Sequence, residues 1–585
     1  MLLNDNPTPQ GVFYFVFNAL LIEYSIRAGL TKPARTKNFF CPPALFVEKN
    51  KMTTFSNRDI AQWKKILQKS NNQITQYLLN LKKLSLKKIT SIPNSIKNLI
   101  QLEELCLSVN TKTINSNIYQ LNNLKKLTLW ECNNIKSLSK SIGKLTQLKC
   151  LNLYECNNLH ILPKNIGNLE NLEYLHIQYK NIYKLPLSFS KLNNLKDTYL
   201  CKVLSKIDEI QSKNQKEKLL DILLCVLKMR EELIVYDFYQ ANELVFNIEK
   251  VSHYTTSDTL IKLLGRKKLV YSYQKDMSIL NMPDEKYNNQ QVILKEQQAV
   301  NNNEEQEPSP LRMYGSNQLN DPSEGKLIYD FFNNLYTLKN KNIHLQPVSE
   351  LATCLTSFSL NQDSLNQFRL YGKENGKEAT GISIGLKADF FDYCHHLFNE
   401  TNDEENKKLP LYRCIYLEPK GKLNGKPYIK VASYDKSMFY KKENLNDNDL
   451  KNYCIYIEKI EKTVTDLFIE IETNINTLFS MDINEEELII NAINFILLPL
   501  SFMIKHIAYQ EEEECRIFCF STFDNDKIII EDKKMYINYL AINDYVSELY
   551  LAPGAKKHQD IFKVLTQHHK NNVEVNLSDN PFRTN

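Results

Sequence analysis

Six stretches of the chain open on the same spacing of leucines. They begin at Leu81, Leu102, Leu124, Leu148, Leu172 and Leu195, a period of 21 to 24 residues. LKKLSLKKITSIPNSIKNLIQ is the first and LKCLNLYECNNLHILPKNIGNLEN the fourth. One such unit cannot bury its own leucines, so neighbouring units must stack and share a core. Each L-x-x-L-x-L reads as a short strand with its leucines inward, and the segments at Pro163 and Pro186 begin the return. The intervening positions then share one face. Trp130, Tyr154 and Gln178 fall at similar places in successive units and are expected to form an exposed strip. Asn134, Asn158 and Asn181, just past their strands, are expected to bond backbone groups at the turns.

This pattern resembles the leucine-rich repeat family, in its I-x-x-L-P-x-x-I variety, over about residues 78–200. The resemblance implies a solenoid whose concave face holds a protein partner. Residues 52–77 are expected to be an N-terminal helical cap, and 201–245 a helical cap or linker. In the latter, Leu219, Leu220, Ile222, Leu223, Val226 and Leu227 form an apolar face. Met52 opens a stretch with a soluble character, so 1–51 is expected to be a tail or an upstream extension.

A formal net charge of +5 over 585 residues gives no concentrated basic face, and nucleic acid is not expected as a partner. The thirteen cysteines have no C-x-x-C and no pairing rhythm, which fits a reducing cytoplasm. No metal-ligand spacing occurs. The run 488–506 is apolar but interrupted by Asn491, Asn494 and Pro499, and reads as a buried helix without a transmembrane anchor.

Beyond the repeats the periodicity changes. Residues 246–570 read as a mixed α+β domain of short strands and longer helices, with a polar insertion loop at 275–310 and a tail at 571–585. The expected fold class is therefore α/β: a repeat solenoid followed by a mixed α+β domain. Five pieces carry polar residues in a fixed order: HYT at 253–255, NDPSE at 320–324, QFRLYG at 367–372, GISIGL at 381–386 and EEECR at 512–516. Their order resembles a large family of uncharacterised bacterial domains, over about 245–570. In outline it is also similar to the ADP-ribosyltransferases of the His-Tyr-Glu class. That resemblance implies NAD as substrate, with His253, Tyr314 and Glu514 as catalytic residues and Tyr271 as a rival to Tyr314. Thr255, Arg312, Asn320, Asp321, Arg369 and Tyr371 are the expected NAD-binding residues. Cleaving a glycosidic C–N bond builds positive charge on the sugar, which a fixed carboxylate stabilises. An arginine fork suits a diphosphate, and a ring face suits a cationic nicotinamide.

Structural readings stand beside these. His253 can be a core histidine that satisfies a backbone carbonyl, and NDPSE a helix cap built on Asp321 or Ser323. Strand alternation places Glu512, Glu514 and Arg516 on one side, which is costly unless the charges are paired or functional. Repeat-plus-enzyme organisation points to a bacterial effector or defence protein, cytoplasmic or delivered into a host cell. The competing expectation is a non-enzymatic scaffold or sensor.

Overall fold

The computed structural model describes residues 55–67, 74–236, 250–265, 307–318, 323–371, 380–391, 408–423, 425–434, 447–482, 484–567 and 573–579. The expected 1–51 tail, most of the 275–310 loop, Tyr271, Asn320 and Asp321 lie outside the described residues.

Five of the leucine stretches form a parallel sheet of β1 (Lys83–Ile89), β2 (Glu104–Val109), β3 (Lys126–Trp130), β4 (Cys150–Tyr154) and β5 (Tyr174–His176). The register advances by one repeat per strand, so Leu105, Leu127, Leu151 and Leu175 form one row. Short 3-10 helices make the return, and Ile96, Ile118, Ile142 and Ile166 bury from them into the shared core. Helices α1 (Asn57–Leu67) and α2 (Ile74–Leu79) precede the first strand. Trp63 of α1 is fully buried and donates its Nε1–H to Ser95 Oγ at 3.1 Å.

The expected aromatic strip is not an exposed row. Tyr154 is buried and stacks on His176 at 6.0 Å, while Gln178 lies beyond β5 at the start of a 3-10 turn. The turn asparagines also divide. Asn158 donates to Asn133 O at 2.6 Å, whereas Asn134 donates to the Asn110 side chain and Asn181 to Gln178 Oε1. A regular inter-repeat bond comes instead from the asparagine before the leucine. Asn123, Asn171 and Asn194 donate to the carbonyls of Ile100, Thr146 and Glu170 at 2.7, 2.8 and 2.6 Å.

After the repeats come α3 (Thr198–Glu209) and α4 (Lys213–Glu232), the first capped by Asp197, which accepts from Leu200 N–H at 3.0 Å. The chain continues through β6 (Lys250–Thr255), α5 (Ser257–Leu264), β7 (Arg312–Gly315), α6 (Leu327–Asn333), α7 (Tyr336–Lys341), β8 (Ala352–Ser359), α8 (Leu365–Tyr371) and β9 (Ile382–Lys387). Next are β10 (Tyr412–Arg413), β11 (Ile415–Leu423), β12 (Lys426–Val431), α9 (Asp447–Ser480), α10 (Glu486–Ser501), β13 (Ile504–His506) and β14 (Glu514–Ser521). The last are β15 (Ile529–Glu531), β16 (Lys534–Asn538), β17 (Val546–Leu551), α11 (Gln559–Gln567) and β18 (Glu574–Leu577). The fold is a mixture of helix and sheet.

The larger sheet runs β15-β16-β7-β8-β6-β9-β17-β18, with β14 on β8 and β10 on β14. A smaller one runs β12-β11-β13. Strand β8 is where the larger sheet branches. β14 pairs along its whole length, from Glu514 opposite Ser359 to Ser521 opposite Ala352. Its other edge is shared: β7 takes Cys354 and Leu355, and β6 takes Ser359. Thr356, Ser357 and Phe358 lie between, where the sheet splits.

Candidate functional site

The split is filled by side chains where a strand would otherwise run. Thr356 Oγ1 donates to Arg312 O of β7 at 2.8 Å. His253 of β6 sits 3.1 Å from Ser357 O through Nδ1. A carbonyl only accepts, so Nδ1 carries the proton and Nε2 is left as an acceptor in the neutral ring. Burial lowers the His253 pKa from the ordinary imidazole value, with the Ser357 bond opposing it. His253 thus does satisfy a backbone carbonyl, and it also lines a cavity.

That cavity has a volume of ≈ 730 Å³, within the range of small-molecule sites. His253, Tyr314 and Glu514 all line it, as do Thr255, Arg312 and Tyr371. Arg369, two residues before Tyr371 on α8, is exposed and is not part of this wall. The rim is basic and aromatic. Arg312 and Tyr314 alternate outward on β7, with Met313 and Gly315 buried between them. Tyr314 is 37% exposed, and Lys534 Nζ lies 5.9 Å from its ring. Arg312 packs 4.1 Å from the Tyr536 ring and pairs with Glu531 at 3.0 Å. Lys262 of α5 completes the basic rim.

The floor is a cluster of five buried charges. Glu514 Oε1 accepts from Arg516 Nε and its Oε2 from Lys505 Nζ, each at 2.6 Å. Arg516 also donates to Glu324 Oε1 at 2.7 Å and to Phe502 O at 3.0 Å. Lys505 pairs with Glu512 as well, and with Glu324 at 3.5 Å. Glu324 Oε2 is buried without a hydrogen-bond partner among the described residues, and that side chain is 5% exposed. Three carboxylates therefore face two cations.

The cluster divides its protons. Burial disfavours the charged form of Glu514, but Arg516 and Lys505 outweigh it and hold the carboxyl well below the usual range. Burial raises Glu512, and the neighbouring Glu514 adds to the rise against the pull of Lys505. Glu512 is therefore a stronger base than Glu514. Tyr371 is half-buried, and its desolvation, with Glu514 and Glu512 nearby, pushes its pKa up to about 12.

Strand alternation holds for Glu514 and Arg516 within β14, but Glu512 is not in the strand. It ends a 3-10 turn, and Glu513 between them takes a left-handed conformation with φ 43° and ψ 45°. The kink brings both carboxylates to Lys505. Sequence reasoning missed Lys505 and Glu324. The signal for Lys505 was the acidic run itself, since buried carboxylates require a cation. Glu324 is expected from sequence only within a helix-capping segment.

Among the described residues, no group of His, Cys, Asp and Glu side chains is placed to hold a metal ion, and no helix is long and apolar enough to cross a membrane.

The family model "Protein of unknown function (DUF2971)" matches residues 367–517. No curated protein matches the chain. Among solved structures, the chain is similar to a leucine-rich repeat protein of Leptospira interrogans, at 28% identity with a TM-score of 0.18. That match covers 23% of this chain and spans 44% of the other. It is similar to the leucine-rich repeat domain of a type III effector, XopL, at 18% identity and TM-score 0.15, covering 20% and 60% of the two chains. A plant receptor-kinase ectodomain from Arabidopsis thaliana, solved in complex with CASPARIAN STRIP INTEGRITY FACTOR 2, matches at 21% identity and TM-score 0.15, covering 19% and 17%.

Proposed function

We propose that the C-terminal half binds NAD in the ≈ 730 Å³ cavity and cleaves its nicotinamide–ribose bond, while the repeat strands hold a protein partner. The supporting observation is the convergence of His253, Tyr314 and Glu514, from three separate strands, on one cavity. In this reading Tyr314 offers its ring face to nicotinamide, and Arg312, Lys262 and Lys534 hold the diphosphate. His253 Nε2 accepts from a ribose hydroxyl. The bonding pair of the broken C–N bond leaves with nicotinamide, and the floor carboxylates stabilise the positive charge left on the sugar. An acceptor hydroxyl then attacks, and Glu512 takes its proton. Protein, nucleic acid and water are all acceptors of the right chemistry. Together with the repeat strands, such an activity suits a bacterial effector or defence protein.

One observation favours a second reading. Both oxygens of Glu514 are already held by cations, as in an internal network. A non-enzymatic sensor would need no more. Nicotinamide release by the purified protein, beside Glu514→Gln and His253→Ala, separates the two. Release by the wild type and loss in both folded variants supports cleavage. Absence of release together with absence of NAD binding by calorimetry rejects the NAD reading.

A further inference from the structure

A second cavity, of ≈ 330 Å³, lies where the last repeat meets the larger sheet. Tyr174 and His176 of β5 line one side, Tyr412 and Phe520 the other, and Arg230 of α4 stands among them. The guanidinium of Arg230 lies 5.4 Å from the Tyr199 ring and 5.8 Å from the Tyr412 ring. Its only hydrogen bond among the described residues goes from Nη2 to the Tyr412 hydroxyl, at 3.3 Å. Its Nε is buried and has no partner.

The carboxylates of this cleft are committed elsewhere. Glu173 pairs with Lys149 at 2.6 Å. Asp197 caps α3. Glu231 accepts from the N–H groups of Tyr179 and Lys180, both at 2.8 Å. Arg230 is thus a half-buried cation without a carboxylate at ion-pair distance among the described residues: burial works against its charge, and the Tyr412 hydroxyl and Asp197 favour it only from further off, which leaves its fork open to a closer counter-charge. A planar fork between two rings is suited to a carboxylate, which it can meet with two parallel bonds.

We infer that this cleft receives a carboxylate of an acidic peptide, presented by the partner that lies along the repeat strands. The inference gives that partner a chemistry and rests on the partner reading above. It also has a structural consequence. Phe518, Cys519 and Phe520 line this cleft, while Glu514 and Arg516 of the same strand line the larger cavity. The occupant therefore touches the strand that carries the charged floor.

The test is fluorescence anisotropy of the full chain with a labelled octapeptide of alternating Glu and Tyr, beside its Gln-for-Glu counterpart, at low salt. The acidic peptide is expected to bind at least tenfold more tightly. Arg230→Gln should abolish that difference, and Arg230→Lys, which keeps the charge but not the fork, should retain part of it. Melting curves on the same samples establish that each variant is folded, and Arg230→Lys serves alone if the glutamine variant is not. Equal binding of the two peptides, or a preference untouched in the folded Arg230 variants, overturns the inference. If both peptides bind equally and Trp130→Ala weakens both, the partner face stands and its acidic chemistry falls. If neither binds, both fall.

Discussion

Lys505 serves three carboxylates at once, and its own side chain is 4% exposed. Burial works against its charge, yet Glu514, Glu512 and Glu324 hold it protonated above the ordinary lysine range. Replacing it with methionine leaves buried carboxylates with one cation, Arg516, among them. The expected loss is about 3–5 kcal/mol, the usual consequence of breaking a buried pair from one side. Urea unfolding checks this, and a loss below about 1 kcal/mol would mean that the cluster is hydrated in solution. His253 gives a pH signature. Its folded pKa is depressed, so its contribution is present above the unfolded value of about 6.5 and is lost as pH falls through the folded one. His253→Gln should flatten the stability profile as pH falls below about 6.5; an unchanged slope there would show that another group sets it. At this scale the sequence revealed residue types and order. HYT and EEECR stood out because they set a histidine and clustered charges against apolar strand patterns, where burial is costly unless the groups are paired or functional. Lys505 and Glu324 did not, since their importance lies in a meeting across 181 residues that no local pattern records.

Among the elements, the repeats were the most legible, because period and leucine phase depend only on local spacing. Their fine bonding was less so. The asparagine that grips the preceding repeat stands before the leucine, and only the parallel register makes that geometry visible. Asn171→Ala should cost about 1 kcal/mol, the net worth of one such bond, measurable as a lowered melting temperature. Gly167 is more restrictive. A Cβ there would stand 2.1 Å from Ser188 O of the next repeat, a backbone atom that cannot swing aside. Gly167→Ala should therefore destabilise by about 1–3 kcal/mol through forced separation of the repeats; a variant as stable as the wild type would show that the stack yields there. Tyr154 was legible as an outward strand position but not as a buried one. Its burial depends on His176 and on a cleft formed with residues more than 250 positions away.

Across the whole molecule, α4 is the element through which the repeats meet the rest of the described chain. Its sequence predicts an apolar face, but burial extends further round, to Leu224, Cys225 and Met229. A helix apolar on most sides is one enclosed by neighbours. It packs against both α9 and α10, and the connections to the distant chain continue around it. Tyr199 donates to Ile496 O at 2.8 Å, Val235 N–H to Leu411 O at 2.8 Å, and Arg413 N–H to Leu233 O at 2.8 Å. The described residues from Phe55 onward form one compact unit. Calorimetry should accordingly show a single unfolding transition for it. Two resolved transitions, with the repeats melting alone, would contradict that coupling. The order of strands in the larger sheet was beyond sequence reasoning, since β8 and β14 pair across some 155 residues without a shared local signal.

The two-sided use of β14 also bears on how such a chain can change over evolutionary time. Repeat arrays diversify readily by duplication and exchange. Here an imported array would have to fit Phe518 and Phe520, which share a strand with Glu514 and Arg516. Changes to the repeats and changes to the wall of the larger cavity therefore meet on one strand, and neither region is free to drift without regard to the other.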